Sequence, residues 1–512
     1  MSLISILFSK TSGLSDIQKT VPPECFSDLN LDQIVDSITA NFGEYDLKKF
    51  FYFTLENISD IEYRHEVFLD LEDELLFQNV KSFTEQMREV RRLLGIKDKV
   101  FYEYQKEVWF LYAAETYTNA VHQFTQDLSA SALKSKGFLK IKEYFTDYTS
   151  SNKFISLKEK IKKVKEGLSG IKYLLNIKGN AFTVRSYEAE TDYGAELEET
   201  FEKFRQGPVK DYHAQFPTSP EFMNHVEAKI LDFVSQLYPV IFSGLKDFYL
   251  SHGGFIDEEI AKFDSEIHFY IAYVEFIKKL KRNNLKFCYP EVVSNSKEVY
   301  NYEGFDLALA QKLINENTAV VTNDFCLQDK ERVIVVTGPN QGGKTTFGRM
   351  FGQLHYLSGL GCPVPGSSAR LFHFDRIFTQ FEKAEKVEDL RGKLEDDLSR
   401  IHSILDSATS RSILIMNEIF NSTTLKDTTY LSREIMERII KLGLLCVWVT
   451  FIDELSRYGA ETVSMTSTVV KDNPALRTFR ILRKPADGLA YAMAIAEKYH
   501  LDYKSIRERL KK

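Results

Sequence analysis

Cysteine is scarce and scattered in this chain of 512 residues. The five cysteines, Cys25, Cys288, Cys326, Cys362 and Cys446, include no Cys-x-x-Cys pair. An odd, dispersed set argues against a disulfide framework or a zinc site and fits a reducing cytoplasm. Positive charge is not in excess either. Lys and Arg number 66 against 73 Asp and Glu, a formal net charge of -7. A generally basic nucleic-acid binder is thereby excluded, though local basic patches are not. Long hydrophobic runs are missing too. The longest, Leu442 to Ile452, falls well short of the ~20 residues a membrane helix needs. It reads as a buried strand, and no membrane partner is expected. The opening stretch MSLISILFSK has no basic residue ahead of its short apolar run, so no secretory signal is expected. Internal repeats and low-complexity segments are absent.

What is present is an ordinary globular balance, 44% hydrophobic and 27% charged. The length leaves room for about two to four domains. Residues from about 30 to 290 carry apolar residues at helical spacing. Stretches such as LEDELLFQNVKSFTEQMREVRRLL and FYEYQKEVWFLYAAETYTNAVHQF contain no proline and predict extended helices. One interruption, Ile171 to Tyr187, alternates on both sides of Gly179-Asn180 and predicts a β-hairpin. The basic helical stretch KFISLKEKIKKVKEG precedes it. The three prolines between Gly207 and Pro220 mark a loop region. After Pro290 the runs ERVIVVTG, RSILIM and LGLLCVWVTF alternate with helical pattern, the rhythm of an α/β domain over roughly 300–512.

GPNQGGKT, Gly338 to Thr345, satisfies G-x-x-x-x-G-K-[ST] in full, after an apolar strand and before a helix. Gly338, Gly342 and Gly343 let backbone N–H groups turn inward around phosphate oxygens, and the helix start adds its positive dipole end. Lys344 is expected to reach the β- and γ-phosphates, and Thr345 to place its hydroxyl on magnesium. ATP and Mg2+ are the ligands this pattern implies.

The loop TGPNQGGKTT resembles that of the MutS mismatch-repair family. LGCPVPGSSARLFHFDRIFTQF, MNEIFNSTT and VTFIDEL resemble three further stretches of the same ATPase domain, which the family writes with DRIFTR, MDEIGRGTST and ATHYFEL. The tail DGLAYAMAIAEKYHLDYKSIRERL resembles the helical segment through which these domains pair. The likeness covers about the last 200 residues. Upstream, IEYRHEVFLDLED resembles the opening of the family's helical core. The expected fold is therefore multidomain: a mostly α-helical core, lever- and clamp-like with a small β-hairpin, followed by an α/β P-loop ATPase domain of the ABC-related MutS type. The divisions expected are 1–135 and 226–300 for the core, 136–225 for a reduced clamp, and 301–512 for the ATPase domain with its dimerisation helices. The N-terminal mismatch-reading domain is expected to be lacking.

The resemblance assigns residues as well. Pro339, Asn340, Gln341, Thr346 and Asn323 fall at nucleotide-binding positions, and Val320 or Val321 would approach the adenine. Glu418 stands as the base that readies the attacking water, with Lys344 beside it as the second catalytic group. Asn417 occupies a metal position where the family has Asp, so magnesium affinity is expected to fall with the lost charge. Phe451 stands in place of a histidine that senses the γ-phosphate and reads as strand-end packing. Lys393 lies where a signature loop normally offers a serine across the dimer, and is a candidate contact in trans. Lys158, Lys160, Lys162 and Lys163 are candidate contacts to a DNA backbone, which give affinity without reading sequence. A solvated helix face is the competing reading of those lysines.

Two functions remain open at this point. One is a cytoplasmic homodimeric ATPase, slow in turnover, that gates a clamp around structured or duplex DNA. The other is a nucleotide-gated scaffold that binds ATP without hydrolysing it. A chromosome-maintenance type of ATPase head is disfavoured by the paired motifs GPNQGGKTT and DRIFTQF.

Overall fold

The computed structural model describes residues 4–9, 21–179, 181–188, 223–382, 392–470, 473–486, 501 and 503–510. The chain divides into two units. One comprises residues 1–72, 134–138 and 265–512; the other comprises 73–133 and 139–264.

The first unit is built on a six-stranded sheet. Its order is Ile377–Phe381, Ile413–Asn417, Leu445–Val449, Val333–Thr337, Thr462–Val470 and Asn473–Arg483. The first five strands run parallel, and only the last is antiparallel to its neighbour. Val333–Thr337 and Leu445–Val449 are buried at every position. That is why they read as continuous apolar runs rather than alternating ones: parallel strands are covered on both faces. The helices Lys393–Ser407 and Leu425–Leu442 contribute Ile401, Leu405, Ile435, Met436 and Ile439 to the core around Trp448 on one face. The helix Lys344–Gly359 packs on the strands Ile413–Asn417 and Leu445–Val449. A smaller sheet joins Glu291–Val293, Ser368–Phe372, Val299–Gly304 and Asn323–Leu327.

Residues 25–72 belong to this same unit. Leu31–Thr39 buries Leu31, Ile34, Val35 and Ile38, the spacing of one helical face. Ile58–Asp70 carries Arg64, which is fully buried. Its guanidinium donates to the carbonyls of Leu7 and Leu360 and lies between the rings of Phe8 and Phe269. Residues 134–138 are stitched into this unit as well: the Asp70 carboxylate accepts from the backbone N–H groups of Lys134 and Ser135.

Among its described residues the second unit is helical apart from one hairpin. Glu74–Lys99 and Glu103–Ala130 pack along each other, each about 40 Å long at 1.5 Å per residue. Phe83, Phe124, Phe145 and Phe263 form an aromatic core with ring centroids 4.5 to 5.8 Å apart. Asn152–Ser169 starts at Ser151, whose hydroxyl accepts the Phe154 N–H as an N-cap. The strands Tyr173–Lys178 and Ala181–Ser186 pair antiparallel where alternation predicts a hairpin, with Lys178 opposite Ala181 and Gly179 at φ 62°. The helix His225–Leu237, opened by a capping box of Asn224 and Glu227, packs on the second strand through Phe233 and Phe182. The proline-bearing stretch from Gly207 to Pro220 lies outside the described residues, as does most of the tail segment read as a pairing element.

All five cysteines are free thiols. Burial pushes the Cys25 thiol up to about 12 and raises Cys362 and Cys446 further. No group of His, Cys, Asp and Glu suited to a metal occurs among the described residues, and no described helix is long and apolar enough to cross a membrane.

Candidate functional site

The loop begins where the strand Val333–Thr337 ends. Gly338 takes φ 113° and Gly343 φ 90°, values that side-chain-bearing residues rarely adopt. Gln341 takes φ 59° without being glycine, a local strain of the kind found at functional loops. Gly342 is required for space. A Cβ there would lie 2.2 Å from Ser467 Oγ, and that hydroxyl donates to the Gly342 carbonyl at 2.7 Å.

Lys344 opens the helix Lys344–Gly359 and is 4% exposed. Its Nζ donates to the carbonyl oxygens of Gly338 and Pro339 at 3.1 and 3.3 Å, and to Asn340 Oδ1 at 3.1 Å. Glu418 Oε1 lies 3.4 Å from the same nitrogen. Thr345 Oγ1 donates to Asn417 Oδ1 at 2.8 Å. Thr346 follows, half-buried on the first helical turn. The two positions expected to share a metal are thus in direct contact, and the two catalytic candidates form an ion pair.

Strand pairing explains this convergence. Ile413–Asn417 ends at the same level as Leu445–Val449, which in turn pairs with the strand that launches the loop. The side chains that follow these strand ends therefore gather at one edge of the sheet. Glu418 sits at φ 49°, with its N–H donated to the Val449 carbonyl at 2.9 Å. Phe420, two residues on, is also left-handed at φ 65° and is fully buried.

Three of the assigned residues have surroundings that their motifs do not indicate. Asn323 does not hold its amide open for a ligand. Its Nδ2 donates to the Phe479 carbonyl at 3.1 Å, and its Oδ1 accepts the Ile481 N–H at 2.7 Å. It pins the last strand of the sheet, while Val320 and Val321 are half-buried just upstream. Phe451 is not strand-end packing: it stays 47% exposed beyond Thr450, whose N–H bonds to the Val336 carbonyl. Lys393 is paired within its own chain, to Glu382, and the ammonium holds that carboxyl below its ordinary range.

Lys158, Lys160, Lys162 and Lys163 are exposed on Asn152–Ser169, away from the face that buries Phe154, Leu157 and Ile161. Lys162 lies 3.8 Å from Glu166. These lysines belong to the second unit, whereas every phosphate-loop residue belongs to the first.

Sequence reasoning misses three loop neighbours. Ser467 supports Gly342 from beneath, Arg477 Nε donates to the Asn340 carbonyl at 3.2 Å, and the backbone of Phe479 lies 3.7 Å from where a Gly343 Cβ would be. No local pattern marks them. They are identified by which strand pairs with Val333–Thr337.

Residues 334–509 match the family model of MutS domain V. Curated relatives include the DNA mismatch repair protein MutS of Orientia tsutsugamushi (strain Ikeda), 26% identical over 220 residues, which are 42% of this chain and 24% of that protein. The DNA mismatch repair protein MutS of Thermotoga maritima is 27% identical over 180 residues, 35% of this chain and 23% of that protein. The similarity thus spans about a quarter of the length of these relatives.

Proposed function

The chain is a relative of the MutS proteins through its domain V, residues 334–509, and on that premise we propose that it is an ATP-dependent DNA-binding protein that hydrolyses ATP slowly. The observation that carries this reading is the meeting of Thr345 with Asn417 beside the Lys344–Glu418 pair. A hydroxyl and an amide oxygen are hard, neutral donors of the sort magnesium accepts, and the loop beside them fits a polyphosphate. When bound, magnesium neutralises phosphate charge. The chain's own groups do the rest. Lys344 exchanges its loop carbonyls for phosphate oxygens, which frees Glu418 to take a proton from water. Asn417 brings no charge to the metal position, and this makes hydrolysis slow.

Two chains pair through their ATPase domains and tail helices, with the Lys393 region of one closing over the loop of the other. That closure breaks the exposed Lys393–Glu382 pair at a cost of about 1 kcal/mol or less. Nucleotide binding shifts an open–closed equilibrium, and the helical unit with its lysines embraces DNA without reading its sequence.

A non-hydrolysing scaffold is the second reading, favoured by the neutral Asn417 and the exposed ring of Phe451. Single-turnover hydrolysis compared with Glu418→Gln separates the two. The ATPase reading expects at least a ~100-fold drop in the variant; equal phosphate release from both proteins sinks it. For the DNA assignment, gel shifts on duplex, branched and single-stranded DNA are run with and without ATP. Replacing all four lysines by alanine is expected to reduce the slope of log affinity against log salt by about 3. No binding of any DNA form in any nucleotide state refutes it.

A further inference from the structure

The paired strands Thr462–Val470 and Asn473–Arg483 hold the phosphate loop at two of its carbonyls. Ser467, on its first strand, lies under Gly342. Arg477, on its second, donates Nε to the carbonyl oxygen of Asn340. The hairpin is irregular at this place. Its register shifts between Ser467 and Val469 and again between Val469 and Val470, and Phe479 takes φ 58°. Such bulges re-aim side chains, and here they turn Arg477 onto the loop.

We propose that Arg477 is a positioning residue of the nucleotide site, one that fixes the peptide joining Asn340 to Gln341. The inference rests on the reading of this loop as an ATP site. The described peptides are all trans, so the Asn340 carbonyl and the Gln341 N–H point in opposite directions. Holding the carbonyl on the Arg477 side holds the N–H on the other, as a donor for an anion. Gln341 pays for that orientation with its left-handed φ of 59°, and the charge-assisted bond from Arg477 offsets the strain. Asn340 has a second duty, since its Oδ1 holds the Lys344 ammonium. Arg477 thereby steadies both a backbone donor and the resting place of the loop's cation.

The test is a titration of MgATP by calorimetry against the 512-residue chain and five variants: Arg477→Ala, Arg477→Lys, Gln341→Gly, the double variant Arg477→Ala with Gln341→Gly, and Lys344→Ala. Loss of a charge-assisted bond predicts about tenfold weaker binding in Arg477→Ala. Arg477→Lys restores most of it. Glycine adopts φ 59° without strain, so the penalty of Arg477→Ala shrinks at least threefold in the Gln341→Gly background. The melting temperature of nucleotide-free Arg477→Ala stays at the parent's value. If Arg477→Ala binds like the parent while Lys344→Ala does not bind, Arg477 has no such role and the nucleotide reading stands. If Lys344→Ala also binds like the parent, the nucleotide reading fails and takes this inference with it. A loss that Lys does not rescue, that Gln341→Gly does not soften and that comes with a lowered melting temperature overturns the proposal in favour of a folding role.

Discussion

The ammonium of Lys344 lies 3.4 Å from the carboxylate of Glu418, so the loop's cation and the candidate base neutralise one another. Lys344 is buried and also holds three oxygen acceptors of the loop. In the proposed ATPase an arriving phosphate competes with all four contacts, and the ion pair is a resting state in which neither group is free for chemistry.

Removing the negative partner should separate binding from turnover. Glu418→Gln leaves Lys344 without its counter-charge and makes the site more positive. ATP is expected to bind roughly 3- to 10-fold more tightly, in line with an ion pair of about 1 kcal/mol, while hydrolysis is lost. Equilibrium dialysis with ATP, set beside the single-turnover rate, checks both halves.

Asn417→Asp adds a charge at the proposed metal position. Thr345 already donates to the side chain at this place, so the substitution keeps that bond and adds an ionised oxygen. The magnesium concentration giving half-maximal hydrolysis should fall by about tenfold, and the rate should rise. A magnesium titration of single-turnover hydrolysis measures this; an unchanged midpoint places the slow step elsewhere.

Phe420→Gly sets two opposing effects against each other. Glycine relieves a left-handed non-glycine residue, a gain of about 1–2 kcal/mol. It also deletes a fully buried ring, which costs about 3–5 kcal/mol. Burial wins, and urea denaturation should show a net loss of about 1–4 kcal/mol. A more stable variant would mean that the backbone strain at this turn exceeds the packing it secures.

Glu107 supplies a pH dependence in the helical unit. Its side chain is buried, its Oε2 has no hydrogen-bond partner, and burial raises its pKa to about 7. Lys246 opposes that rise and Glu103 adds to it. The folded state thus holds a proton that the unfolded chain releases near its ordinary value. Stability is fully present below pH 4.5 and is lost as pH rises through about 7. Glu107→Gln keeps the neutral shape at every pH. Its advantage over the parent should be near zero at low pH and on the order of 3 kcal/mol at pH 8, read by thermal melting at both.

The phosphate loop was legible because its chemistry is contiguous: eight neighbouring residues carry the motif, and strand and helix patterns flank it. The long helices Glu74–Lys99 and Glu103–Ala130 were legible from periodicity. Ser467 and Arg477 were not. Their contacts to the loop span 125 and 137 residues and depend on Thr462–Val470 lying beside Val333–Thr337. Phe420 misleads any local reading, because aromatic residues avoid left-handed backbone unless tertiary burial imposes it. The amide of Asn323 is engaged by backbone partners, the Phe479 carbonyl and the Ile481 N–H, that only the fold reveals.

The return of residues 134–138 to the first unit means that the chain passes between the units at four places, after residues 72, 133, 138 and 264. The helical unit is thus sewn on with four threads rather than inserted on two. No single protease nick can liberate it. Nor can one deletion excise it cleanly, because cutting out 73–264 also removes the backbone donors that Asp70 holds at Lys134 and Ser135. A genetic dissection of this protein must leave that short stitch behind, or strand a carboxylate that is only 8% exposed.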